Sequence, residues 1–292
     1  MSCSCFTCLE VGFGISVAGL SIYFSPEAPA ERRDAANTAA PTSVPQAGQA
    51  SSSGAAPPKP EAPARPLAEV CEEVARQLPP GPRVCILGGT AFKDPDSELI
   101  VKSLAKHFAR NLSSSVVVLT GGMSGVQETF ARSMGVEGKR WSVASTGTPP
   151  NERTSQTEIV NLLPDGQASN YGVGRDLEAG ANLEERKQVF AQLGHIYLTV
   201  EGGPGVSQEA STAFSRGAVV IPISSTGGAS SGMFGFPAEA LQRPDYATQE
   251  QWDHLQTKGN PDDIAVAVVQ MIWTLISRGG RVGMQVGIGQ GE

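Results

Sequence analysis

The chain has 292 residues, with 22 Lys and Arg against 29 Asp and Glu, giving a formal charge of -7 and a pI near 5.1. That balance excludes a broad basic surface for nucleic acid, while a local cluster can still hold a small anionic ligand. The 5 cysteines, of which Cys3, Cys5 and Cys8 crowd the start, and the 3 histidines supply neither a disulfide framework nor zinc-ligand spacing.

The N-terminal cysteines precede the apolar, uncharged stretch Val11–Phe24. It is shorter than the roughly 20 residues of a membrane-spanning helix. It is read either as a removed or disordered targeting segment or as an S-acylated anchor. Membrane contact is therefore expected only through residues 1–25, and the compartment, cytoplasmic or organellar, stays open. Residues 26–66 are dominated by Ala, Pro, Ser, Gly and Glu. Such a segment has too little apolar surface to offset its ordering entropy, so a disordered linker is expected. Residues 67–278 remain as one folded α/β domain, followed by a loose Gly-rich tail over 279–292.

Within that domain, RVCILGG (83–89) is a short buried strand, with Cys85 a small core residue. DSELIVKSLAKHFARNL (96–112) is a helix with Leu99, Ile100, Leu104, Phe108 and Leu112 as its apolar stripe. SSVVVLTGG (114–122) is a second strand, and GVQETFARSMGV (125–136) a helix that Gly135 is expected to stop. RWSVAST (140–146) is a candidate third strand, and the pattern from 147 to 182 is weak. LEERKQVFAQLG (183–194) is helical, with Leu183, Val189, Phe190 and Leu193 on its packing face. A strand at HIYLTVEGG, a helix at SQEASTAFSRG and a strand at AVVIPIS follow. His107 is placed on an amphipathic helix, His195 at a strand start and His254 in a polar linker. The last helix starts with Asn260 as N-cap, Pro261 at its first position and Asp262 and Asp263 in its first turn.

Continuous apolar strands alternating with amphipathic helices predict a Rossmann-like, doubly wound parallel sheet with helices on both faces. Such sheets take ligands beyond the carboxyl ends of their strands. Three glycine turns are expected there: Gly88, Gly89 and Thr90; Gly121, Gly122, Met123, Ser124 and Gly125; and Gly202, Gly203, Pro204, Gly205, Val206 and Ser207. Backbone N–H groups at the start of the following helix favour an anion. Neither a Walker A loop nor a G-x-G-x-x-G fingerprint is present, which disfavours ATPase and ordinary NAD-dehydrogenase readings. Arg186 and Lys187 offer positive charge to a phosphate, and Glu209 a carboxylate to ribose hydroxyls or a proton transfer, against surface and helix-start roles for the same residues.

With these residues in view, the chain resembles the LOG (Lonely Guy) family and the wider SLOG superfamily, long labelled lysine decarboxylase-like. The family's strand-end P-G-G-x-G-T-x-x-E motif, preceded by a helix bearing Arg-Lys, is matched by ERKQVFAQLGHIYLTV followed by EGGPGVSQE, and VCILGGT and LTGGMSGVQETFARSM match in order. Glu201 stands where the motif has proline, and Val206 where it has threonine. The resemblance implies hydrolysis of a nucleoside 5′-monophosphate to base and ribose 5-phosphate, with Arg186 and Glu209 as the catalytic pair and the glycines near the phosphate. It implies no metal or redox cofactor, and a homodimer. The superfamily's divergent branches, including molybdenum-cofactor carriers and nucleotide sensors, imply an alternative: a non-catalytic carrier or sensor of a nucleotide or pterin-type ligand. A scaffold subunit of a larger assembly is the third reading.

Overall fold

The computed structural model describes residues 15–17, 20–22, 65–112, 115–146 and 158–279. The chain divides into two units, residues 1–63 and 64–292. In the first, β1 (Ile15–Val17) and β2 (Leu20–Ile22) pair antiparallel. The cysteine cluster, the remainder of the Val11–Phe24 stretch, nearly all of the 26–66 linker and the tail from 280 lie outside the described residues.

The second unit opens with α1 (Leu67–Gln77), then alternates β3 (Arg83–Gly88), α2 (Pro95–Asn111), β4 (Val117–Thr120), α3 (Val126–Thr146), β5 (Ile159–Leu163) and β6 (Arg175–Glu178). It continues with α4 (Leu183–Leu193), β7 (Ile196–Val200), α5 (Pro204–Ser215) and β8 (Val219–Ile223). Short 3-10 turns between 224 and 241 lead to α6 (Gln249–Gln256) and α7 (Pro261–Gly279). The six strands of this unit form one parallel sheet in the order β6-β5-β4-β3-β7-β8. The chain winds from β3 outward to β6, then returns to place β7 on the other side of β3, so the order reverses between β3 and β7.

The two-residue period of a strand sorts β3 between two cores. Val84 and Ile86 pack with Phe108, Phe130, Leu198 and Val268 on the α2–α3–α7 face. Cys85 and Leu87 pack with Leu119, Val189, Phe190 and Tyr197 on the α1–α4–α5 face. Both faces are thus covered, the doubly wound arrangement expected from the alternating pattern. Phe108 and Phe130 meet edge to face, 5.2 Å between centroids, and lock α2 to α3. Burying each such ring contributes about 2 kcal/mol or more. At α7 the expected cap is present, with Asn260 Oδ1 accepting from the Asp262 N–H at 3.0 Å.

Several local expectations are corrected. The stretch 140–146 is not a strand but the last part of α3, and Gly135 lies inside that helix. A Cβ on Gly135 would stand 2.9 Å from Val173 Cγ1, so this glycine serves close packing rather than termination. The third strand is instead β5, within the stretch that lacked a pattern. Leu99 and Leu183 are exposed: Leu99 lies on the side of α2 away from the face that buries Ile100, Leu104 and Phe108, and Leu183 is the first residue of α4. His254 belongs to α6, which Thr248 and Gln251 start with a reciprocal capping box.

Candidate functional site

The carboxyl ends of β3, β4 and β7 bring the three glycine turns to one edge of the sheet. The first two interlock. The Val126 N–H donates to Gly89 O at 3.0 Å and the Ser124 hydroxyl to Thr90 O at 2.9 Å. A Cβ at Gly88 would meet the Val126 side chain at 2.5 Å, and one at Gly125 would meet Gly89 O at 2.4 Å. Gln127 organises the second turn from within: its Oε1 accepts from the N–H groups of Gly121 (3.0 Å) and Met123 (3.1 Å), and its Nε2 donates to Ile86 O at 2.9 Å. The Gly122 N–H donates to Thr120 Oγ1 at 3.4 Å, and the buried Tyr171 hydroxyl donates to Met123 O. Two N–H groups expected to face a phosphate are therefore used by a side chain of the protein.

The third turn is different. Gly203 is the N-cap of α5 and gives it no side-chain hydrogen bond, Pro204 follows at the first helical position, and the space above Gly203 and Gly205 is open. Val206 is buried beneath Gly202, and the Ser207 hydroxyl donates to Phe234 O at 2.9 Å. The segment after β8 braces this turn, with the N–H groups of Ala229 and Ser230 donating to Gly202 O (2.9 Å) and Glu201 O (3.0 Å). Of the two glycine turns that lead directly into helices, only this one opens outward.

Arg186, on α4, and Glu209, on α5, meet at Nη1–Oε1 3.2 Å, with side chains only 3% and 10% exposed. The guanidinium also lies 5.7 Å from the centre of the Phe190 ring. Its Nε is buried with no hydrogen-bond partner. Burial pushes the Glu209 carboxyl up to about 7, against the pull of Arg186 and then of Lys187. Burial likewise lowers the Arg186 pKa, opposed first by Glu209. Lys187 is half-buried, its Nζ 3.4 Å from Glu184 Oε2, so its charge reaches the pair without direct contact. The pair sits against the second turn, since a Cβ on Gly121 would stand 2.4 Å from Arg186 Nη1.

His195 lies at the opposite edge, where its Nδ1 accepts from the Arg83 N–H at 3.0 Å. Burial, and next the Arg83 charge, lowers its pKa to about 4. It cannot reach the crevice. Among the described residues, no three His, Cys, Asp or Glu side chains converge as a metal site needs, and no helix is long and apolar enough to cross a membrane. A cavity of about 580 Å³ lies elsewhere, lined by Leu99, Lys102, Arg132, Val136 and Pro261 among others. Gln127 and Tyr171 are the site residues that sequence reasoning missed. Gln127 could have been found from its place in the first turn of a helix after glycines, whereas nothing local marks Tyr171.

Strand order and turn geometry define a doubly wound, Rossmann-like α/β protein with its candidate site at the point where the strand order reverses. No protein-family model and no curated protein matches the chain. Among solved structures, the chain is similar to a structural-genomics protein named TM1055, at 19% identity over 65% of this chain and 99% of that one, with a TM-score of 0.45. It is similar to the Moco carrier protein from Chlamydomonas reinhardtii at 16% identity, 66% and 99% coverage and a TM-score of 0.42. It is also similar to a molybdenum cofactor binding protein from Rippkaea orientalis at 14% identity, 66% and 98% coverage and a TM-score of 0.41.

Proposed function

We propose that the chain binds the phosphate of a nucleoside 5′-monophosphate at the Gly202–Gly205 turn and hydrolyses its N-glycosidic bond with Arg186 and Glu209. The observation that carries this reading is the buried Arg186–Glu209 pair, in which Glu209 stands on the helix that starts at the open glycine turn and Arg186 reaches it from α4. The free start of α5 supplies N–H groups and the positive end of a helix dipole to the phosphate. Arg186 orients the nucleotide. Glu209, held near 7 by burial, stabilises positive charge developing on the ribose or takes the proton of the attacking water. The C1′–N bond breaks, water oxygen bonds to C1′, and the base leaves with a proton. The products are free base and ribose 5-phosphate.

A second reading has one observation in its favour: Arg186 and Glu209 close on each other in the interior. A carrier or sensor of a nucleotide or pterin-type phosphate would use the same turn and keep the pair as a structural clasp. Incubating the full chain with a panel of nucleoside monophosphates separates the two. Base release that is lost in Glu209→Gln and Arg186→Ala supports the hydrolase. Tight binding without release, unaffected by Glu209→Gln, overturns it in favour of the carrier.

A further inference from the structure

In doubly wound sheets, the turn from the first strand into its helix is where backbone N–H groups and the helix dipole take up a ligand's phosphates. Here that turn leads from β3 into α2, with Asp94 as N-cap and Pro95 inside the first turn. Its N–H groups already hold an anion. The Lys93 N–H donates to Glu201 Oε2 at 3.0 Å and Oε1 at 3.2 Å, and the Asp94 N–H donates to Oε1 at 3.1 Å. Glu201 is 2% exposed and follows directly on β7.

The surroundings fix Glu201 in place. Its φ is +52°, a left-handed conformation that costs a non-glycine residue about 1 kcal/mol or more. Its N–H donates to Thr226 Oγ1 at 2.8 Å, and its carbonyl accepts from the Ser230 N–H at 3.0 Å and hydroxyl at 2.8 Å. A Cβ built on Gly89 would stand 3.5 Å from Glu201 Oε2 and 3.8 Å from the Gly202 N. The carboxylate, the β3 turn and the start of the Gly202–Gly205 turn therefore share one corner.

We propose that Glu201 is a specificity-determining residue: its carboxylate stands in for a ligand anion at the start of α2, closes that position, and limits the ligand to a single phosphate seated at the α5 turn. This inference rests on the phosphate site proposed above. A second phosphate directed at the β3 turn meets a negative charge where it needs donors, and the donors it would use are taken. Dinucleotides and nucleoside diphosphates are excluded for the same reason.

Calorimetric titration of the full chain with inorganic phosphate and with pyrophosphate tests the assignment. Pyrophosphate, with its higher charge, would ordinarily bind a helix start more tightly. The wild type is expected to bind it at least about tenfold more weakly than phosphate, because like charges a few ångströms apart repel strongly in a buried corner. Equal or tighter binding of pyrophosphate by the wild type overturns the proposal without any variant. Glu201→Ala and Glu201→Gln are expected to shift the ratio toward pyrophosphate by about tenfold or more. A folded variant that binds phosphate with the wild-type ratio also overturns it. Absence of any phosphate binding by the wild type removes the underlying phosphate site, and this inference falls with it. Phosphate binding with the wrong ratio removes only the role of Glu201.

Discussion

The Arg186 guanidinium lies across Gly121 so closely that a Cβ there would come within 2.4 Å of Nη1 and 3.0 Å of Cζ. Gly121 is not among the glycines with left-handed backbone, so space is what excludes a side chain. The end of an arginine is flexible, but this one is held by Glu209 and rests against Phe190. Gly121→Ala is expected to push the guanidinium off Glu209 while the fold survives. Base release should fall at least about tenfold, since a shift of one ångström in a positioned group costs rate on that scale or greater. A variant with wild-type turnover and an unchanged melting temperature would show that the contact does not position Arg186.

Gln127 is the internal support of the same turn. Gln127→Leu keeps the volume but strips partners from the Gly121 and Met123 N–H groups and from Ile86 O. Leaving buried polar groups unpaired costs about 1–3 kcal/mol each, so a loss of about 3 kcal/mol or more in urea denaturation is expected. Ser124→Ala removes one exposed hydroxyl bonded to Thr90 O and should cost less than about 1 kcal/mol. Equal effects of the two substitutions would refute the ranking.

Those two residues also show what was legible in the sequence. The apolar strands that end in glycine and the capped start of α7 follow from local chemistry, and with them the doubly wound sheet. β5 escaped notice because Asn161 interrupts its apolar run. That amide is satisfied only in three dimensions: Nδ2 donates to Val173 O (3.0 Å) and Asp176 Oδ1 (2.8 Å), and Oδ1 accepts from the Thr120 hydroxyl at 2.7 Å. β6 is an edge strand with a single buried residue, Leu177, and carries no alternating signal. At the site, the glycines of both turns were legible. Which turn stays open was not, because it depends on Gln127 reaching back into one of them. Glu201 was visible as a departure from the motif, but its partners Lys93 and Asp94 lie more than a hundred residues away.

Glu209 gives a pH dependence with a definite sign. Its pKa is raised from 4.5 to about 7 in the fold, so the folded chain binds the extra proton between those values. Its contribution to stability is fully present below about pH 4.5 and is lost as pH rises through about 7. Glu209→Gln removes that dependence. Across this window, the stability of Glu209→Gln relative to the wild type should therefore rise with pH, as read from urea midpoints at a series of pH values. A flat difference, or one falling with pH, would show that Glu209 is not held protonated by its burial.

Phe234 and Phe236 flank one glycine but obey opposite constraints. Phe234 has φ +63° and is 48% exposed, so its ring contributes little burial while its backbone is strained. Phe236 is 5% exposed and packs in the core beneath α5. Phe236→Ala removes a buried ring and should cost about 3–5 kcal/mol. Phe234→Gly relieves the left-handed strain, worth about 1 kcal/mol or more, but adds unfolded-state entropy of similar size. Its net effect should stay within about 1 kcal/mol of the wild type, with the Ser207 hydrogen bond to the residue 234 carbonyl retained. Denaturation of the two variants side by side checks the contrast. A loss from Phe234→Gly as large as that from Phe236→Ala would refute the contrast.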